Sequence, residues 1–401
     1  MRLDLLLKRE DFAQTFEQSF TKYLLDVFGV NSAVNWKGGS NSNTSLLANH
    51  KLNVIYSKSI DRTKLKSIVS EYAYHPNPLR RFLQETYINL ATRTYLEWLF
   101  VRIRVEVNPW VNDLNGLCII PGNHSIRIID LKASSCRVIL KEGFNAQFIQ
   151  NEIYLREEYK FLPIPKLLNF DSKGLWYEEV QISALPLNRH SDHNIKNKAL
   201  LEAHSNLINL YNKTLENTNT YDYLKTLEES CYNLIYKLPS VYDQKEKDRI
   251  RKVLRHLLGS IDLPSKHSIA LVQSHGDFQP ANILIDNISQ ELYLIDWEYT
   301  AKRSVYYDAL VFSTECRSPQ GLSERVMDIM KEIDTSWSWC NNGINSDLSK
   351  LELLIFLIED LHVRLTELRI QSIIRKDKGL NIWMKEVEKI QWPVFVEKTS
   401  N

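Results

Sequence analysis

Asp277 and Asn282 stand five residues apart in Ser274-His-Gly-Asp-Phe-Gln-Pro-Ala-Asn-Ile-Leu-Ile-Asp286, and Asp296 follows in Leu292-Tyr-Leu-Ile-Asp-Trp-Glu-Tyr299. Phosphoryl transfer needs metal-held phosphates, neutralised charge and a hydroxyl held in line, with little covalent help from the protein. Asp277 suits the acceptor side, orienting a hydroxyl and taking its proton. The side-chain oxygens of Asn282 and Asp296 suit Mg2+, which prefers hard oxygen ligands and keeps part of its water. Taken singly, an Asp or Asn in a loop is mostly a turn former or a helix cap. The joint pattern of His-Gly-Asp-x-x-x-x-Asn, an apolar strand, then Ile-Asp-Trp-Glu is far more specific.

The elements that would carry these loops change character along the chain. Residues 1–112 hold helical patterns at 12–28 and from 79 to 107, many aromatics, and the turn-rich run Lys37-Gly-Gly-Ser-Asn-Ser-Asn-Thr44. Asn108-Pro-Trp-Val-Asn-Asp-Leu-Asn-Gly116 reads as a linker. Residues 117–120, 125–131 and 136–141 are β-rich, broken by the turns 121–124 and 132–135. A helix is predicted over 146–161, stopped by Pro163 and Pro165, and strands over 166–170 and 175–180. The pattern is helical over 194–258 and again over 322–390; between them lie an apolar run at 268–274 and strand-like segments at 283–285 and 292–295.

His275-Gly-Asp-Phe-Gln-Pro-Ala-Asn-Ile-Leu284 and Leu294-Ile-Asp-Trp-Glu-Tyr299 resemble the catalytic and metal loops of the aminoglycoside phosphotransferase and choline kinase superfamily. The resemblance extends over residues 116–370 and is strongest between 270 and 310. It implies an α+β, two-lobed protein-kinase-like fold with ATP or GTP in the cleft: an accessory region of unknown role (1–112), a small β-rich N-lobe (113–181), and a mainly helical C-lobe with the acceptor-binding helices (182–401). It also implies that Asp308 braces the catalytic segment, and that His275 is a hydrogen-bonding residue of the loop rather than the base. His-Gly-Asp replaces the His-Arg-Asp of protein kinases, Asp-Trp-Glu replaces Asp-Phe-Gly, and no Ala-Pro-Glu follows. Those departures favour a small-molecule acceptor over a protein.

The same resemblance suggests further parts. Lys141, closing Arg137-Val-Ile-Leu-Lys141, would meet the α- and β-phosphates, with Lys132 as its rival; Glu152 on the next helix would pair with it, with Glu157 and Glu158 as rivals. The turn at Gly122 and Asn123 would cover the phosphates, although a plain hairpin turn explains a single glycine equally well. Backbone groups near Glu179 and Val180 would receive the base where the lobes join. Glu298, Trp337, Trp339, Glu359 and Asp360 are acceptor-site candidates; for the tryptophans simple packing, and for the last two acids a solvated helix face, are the plainer explanations.

Composition narrows the alternatives. Fifty Lys and Arg against 49 Asp and Glu give a net charge of +1, so no global field draws the chain to nucleic acid. Five scattered cysteines without a metal-binding spacing suggest reduced thiols. The amino terminus lacks a signal-peptide pattern, and the apolar stretch at 351–361 is broken by Glu352, Glu359 and Asp360, so a cytoplasmic protein without a membrane span is expected. Among acceptors, a sugar or surface-glycan precursor ranks narrowly ahead of a choline, ethanolamine or aminoglycoside hydroxyl. A nucleotide-binding pseudokinase or scaffold is the reading from another class; the presence of Lys141, Asp277, Asn282 and Asp296 together argues against it.

Overall fold

Phe12, Phe16 and Phe20 recur at helical spacing and form the buried stripe of α2 (Phe12–Phe28), which follows the short α1 (Leu3–Arg9). Asp11 caps α2 by accepting the Gln14 N–H, and Gly29 closes it in the left-handed region at φ 67°. With Trp36 this stripe covers one face of a nine-stranded antiparallel sheet. The computed structural model describes residues 3–36, 45–70, 73, 77–101, 103–261, 267–332, 348–368 and 376–392.

The sheet is built from β1 (Ala33–Asn35), β2 (Ser45–Asn49), β3 (Val54–Ser57), β4 (Ile103–Asn108), β5 (Leu117–Pro121), β6 (Ser125–Asp130), β7 (Ser135–Leu140), β8 (Leu167–Phe170) and β9 (Trp176–Val180), in the order β1-β4-β2-β3-β5-β6-β7-β9-β8. Side chains alternate between its faces. Leu117, Ile119, Ile126, Ile128 and Ile139 pack toward α2. Cys118, Ile129, Cys136 and Val138 pack with residues of α3 (Arg62–Ser70), α4 (Pro78–Ala91) and α6 (Gln147–Glu158).

The helix expected over 79–107 divides into α4, α5 (Glu97–Phe100) and β4. Ile103-Arg-Val-Glu-Val-Asn108 has period two, with Val105 and Val107 buried, and the sheet overrides the helical propensity around it. Across the boundary drawn at 112, β3 pairs with β5 through Ile55↔Ile119 and Tyr56↔Cys118. The strands of residues 1–112 therefore extend the small lobe's own sheet.

Below it, β10 (Ala184–Pro186) leads into α7 (His193–Thr214), β11 (Glu216–Asn219), α8 (Thr220–Tyr236) and α9 (Gln244–Gly259). Then come β12 (Ser268–Ser274), β13 (Ile283–Asp286), β14 (Leu292–Leu294), β15 (Ala301–Ser304), α10 (Tyr307–Thr314), α11 (Leu322–Glu332), α12 (Lys350–Glu367) and α13 (Lys378–Val387). Every residue of α12 from Leu353 to Leu361 is buried, which makes it the central helix of this lobe. Two three-stranded sheets, β10-β13-β14 and β11-β12-β15, hold the ends of the segments 275–282 and 295–300. This is the expected two-lobed, protein-kinase-like α+β arrangement. Among the described residues no helix is long and apolar enough to cross a membrane.

Candidate active site

Gly276 lies at φ 87°, where a Cβ would come within 2.3 Å of the Tyr299 carbonyl oxygen. Only glycine lets the turn at 275–277 lie this close to the one at 297–299. Asp308, fully buried at the start of α10, accepts the backbone N–H groups of His275 (2.6 Å) and Gly276 (2.9 Å) and the Tyr211 hydroxyl (2.8 Å). His275 bonds the Ile295 carbonyl through Nε2 (3.0 Å) and packs on Trp297, while the Ile295 N–H donates to the Asn282 carbonyl oxygen (3.0 Å). These bonds fix the two chemistry-bearing loops to each other.

Within that frame Asn282 Nδ2 donates to the Asp277 carboxylate (2.9 Å) and to its carbonyl (2.8 Å), which turns the amide oxygen away from Asp277. Gln279 Nε2 (2.8 Å) and Arg317 Nε (2.6 Å) also donate to Asp277. Asp296 takes the left-handed conformation, φ 62°, which is uncommon for a residue with a side chain and recurs at functional sites. Its carboxylate receives Arg127 Nη2 at 2.6 Å.

A cleft of about 250 Å³ opens between the β5–β6 hairpin, α6 and the 295–298 segment. Its walls include Asn53, Gly122, Asn123, Arg127, Glu152, Asp296 and Glu298. The turn over it is closed by the Gly122 N–H donating to Ser125 (2.9 Å), and Arg9 reaches it through Asn123 Oδ1 (3.3 Å). Glu298 lies 3.9 Å from His124, and burial, with the charges of Asp296, Glu152 and Asp277, holds its carboxyl well above the usual range. A cation entering the cleft would offset the repulsion among these acids and favour the ionised form of Glu298.

Several expectations are corrected. Lys141 does not line the cleft: it follows Leu140 onto the α2 side, where Nζ is enclosed by Glu10 (2.6 Å), the Asn123 carbonyl (2.9 Å) and the rings of Phe12 and Phe144. Burial lowers its pKa to about 8 despite the Glu10 carboxylate. Glu152 faces the cleft but pairs with Arg156, one helical turn on, and Arg156 bridges to Glu179 (2.8 Å). Glu157, Glu158 and Lys132 are exposed. At the lobe junction the Val180 N–H donates to the Lys166 carbonyl (3.0 Å), and the Glu179 side chain pairs with Arg156; neither bears on the other backbone groups expected to receive the base. Glu359 and Asp360 are internal rather than on a solvated face: Glu359 accepts from Ser304 and Tyr223, and Asp360 accepts Arg364 Nε (2.9 Å). Trp337 and Trp339 lie outside the described residues.

Sequence reasoning missed Arg127, Arg317, Glu10 and Glu367. Arg127 had a signal, a lone cation in the middle of an otherwise apolar strand beside a phosphate-covering turn. Arg317, Glu10 and Glu367 had none, since each meets its partner across the fold, Glu367 standing 3.8 Å from Arg317.

Residues 160–339 match the family model for choline/ethanolamine kinases, and Asp277, Asn282, Asp296 and Asp308 all fall inside the match. That stretch of the chain is similar to the choline/ethanolamine kinases, within the aminoglycoside phosphotransferase and choline kinase superfamily. The match supports a phosphotransferase that acts on a small-molecule hydroxyl. Solved structures similar to this chain include choline kinase LicA of Streptococcus pneumoniae, 17% identical over 67% of this chain and 89% of that one, with a TM-score of 0.44. An ethanolamine kinase of Plasmodium vivax is 15% identical over 82% of this chain and 93% of its own, TM-score 0.44. An aminoglycoside phosphotransferase of Streptomyces rimosus is 14% identical over 62% and 92%, TM-score 0.39. No curated protein sequence matches the chain.

Proposed function

We propose that this kinase moves the γ-phosphoryl group of ATP or GTP, bound as the Mg2+ complex, to the hydroxyl of a small amino alcohol. The observation that carries the reading is the contact between Asp277 and Asn282 on a loop hydrogen-bonded to the one that presents Asp296. One carboxylate and one amide oxygen fit Mg2+ that brings phosphate and water as its other ligands. Held by Asn282 and Asp296, Mg2+ would offset charge on the β- and γ-phosphates.

Asp277 then orients the acceptor hydroxyl and takes its proton as the new O–P bond forms. The bond from phosphorus to the bridging oxygen breaks, and a nucleoside diphosphate leaves. Glu298 and Glu367 both bear on Asp277, their carboxyls raised first of all by burial, and Arg317 lies over the Tyr299 ring at 5.5 Å. An acceptor with an ammonium group complements such acids. The match to the choline/ethanolamine kinase family supports the same choice and moves an amino alcohol ahead of the sugar or surface-glycan precursor.

The test incubates the full chain with Mg-ATP or Mg-GTP and ethanolamine, choline, monosaccharides or aminoglycosides, with mass spectrometry of the products. A phosphorylated amino alcohol, lost by at least about 100-fold in Asp277→Asn, is expected for removal of a general base. Phosphorylation of sugars alone would reassign the acceptor. Nucleotide binding without any product would favour the scaffold.

A further inference from the structure

We propose that Arg127, on β6, is the protein cation that binds the nucleotide's phosphates, the role that sequence assigned to Lys141. The inference rests on the nucleotide-dependent reading above and names a residue of that same site.

Arg127 pairs in register with Val138, and both side chains line the cleft, as alternation along β6 and β7 requires. Among the described residues lining this cleft it is the one Lys or Arg; the other charged ones are Glu152, Asp296 and Glu298. A nucleotide polyphosphate entering so acidic a space needs a fixed positive partner besides its metal. The guanidinium is placed for that task. Its Nη2 rests on Asp296 (2.6 Å), while Nη1 stands 3.8 Å from Glu179, a carboxylate that Arg156 holds from behind at 2.8 Å. The side chain is 29% exposed and lines the cleft.

Asp296 is also the carboxylate assigned to the metal. With a metal held by Asp296, Nη2 would be free for phosphate, and the planar guanidinium fork would suit two phosphate oxygens. Arg127 would then add a protein charge to the one that the metal would supply. Lys141 has no such freedom, because its ammonium is fully enclosed with Glu10 on the α2 side of the sheet.

The test uses the full chain: calorimetric binding of non-hydrolysable Mg-ATP and Mg-GTP analogues, with a thermal melt of each sample. Losing charge-assisted bonds to phosphate predicts about 10- to 100-fold weaker binding in Arg127→Met, measured well below its Tm, with a smaller loss in Arg127→Lys, which keeps the charge without the fork. Lys141→Met is expected to melt earlier and, where folded, to lose clearly less affinity than Arg127→Met, since Lys141 supports the Asn123 turn from behind and does not line the cleft. Wild-type affinity in Arg127→Met, or an equal loss in folded Lys141→Met, overturns the proposal. If Arg127→Met does not fold, Arg127→Lys decides, and unchanged affinity there overturns it too. A parent chain that binds neither analogue removes the kinase reading and this proposal together; a binding parent with an indifferent Arg127→Met removes the proposal alone.

Discussion

Asp277 receives donors from Arg317, Gln279 and Asn282, so its orientation is set by three side chains before any acceptor arrives. Asp277→Asn keeps the shape but cannot take a proton. Turnover is expected to fall by about 10²- to 10⁴-fold, with nucleotide affinity nearly intact because the residue works on the acceptor side. Steady-state rates beside analogue binding check this, and near-normal rates would mean that the base lies elsewhere. Asp296→Asn has the opposite signature, weaker Mg-nucleotide binding itself, read by titrating Mg2+ at fixed analogue. The loops of both residues were legible in sequence because their pattern is local: Asp277 and Asn282 sit in one turn, and Asp296 follows a short hairpin. Lys141 and Glu152 misled because local sequence does not say which face of a strand, or which partner, a charged side chain meets. With Lys141 turned away, the sequence case against a pseudokinase loses one of its four residues, and Arg127 is the cation left in the cleft.

At the scale of elements, α1 and α2 matter to the site through one buried pair. Glu10, just beyond α1, meets Lys141 at 2.6 Å with both side chains fully covered. Removing one partner of such a pair leaves a buried charge uncompensated, so Lys141→Met is expected to cost about 3–5 kcal/mol, and Glu10→Gln with Lys141→Met to recover much of it. Urea melts of the three variants decide; a double variant no better than the single one would locate the loss in packing instead. A second element-scale effect is acid sensitivity. His362 on α12 bonds Ser230 on α8 (2.8 Å), and burial, helped by the Arg303 charge, lowers its pKa to about 4. The unfolded chain takes up that proton near pH 6.5, so stability is lost as pH falls from there toward 4. Between pH 7 and 5 this residue accounts for about 2 kcal/mol. His362→Gln should flatten the pH dependence of urea midpoints, and an unchanged slope would show that other groups govern it.

The whole molecule departs furthest from what its sequence suggested. The turn-rich run at 108–116 marks a real break between β4 and β5, and local signals reveal such breaks well. They do not reveal that Ile55 and Tyr56 pair across it with Ile119 and Cys118, since strand partners far apart in sequence leave no local trace. Residues 1–112 also supply Asn53 to the cleft, Arg9 to the Asn123 turn and Glu10 to Lys141. Cutting them away would leave β5 as an edge with unpaired N–H and C=O groups, and Ile119, Ile126, Ile128 and Ile139 without α2 and its phenylalanines. The fragment 113–401 is therefore expected to be aggregation-prone and unable to bind Mg-nucleotide, as size-exclusion chromatography, circular dichroism and calorimetry would report. A monodisperse, folded fragment with the parent's affinity would mean that the nine-stranded sheet is two units joined at β3 and β5, and that the accessory strands serve something other than the cleft.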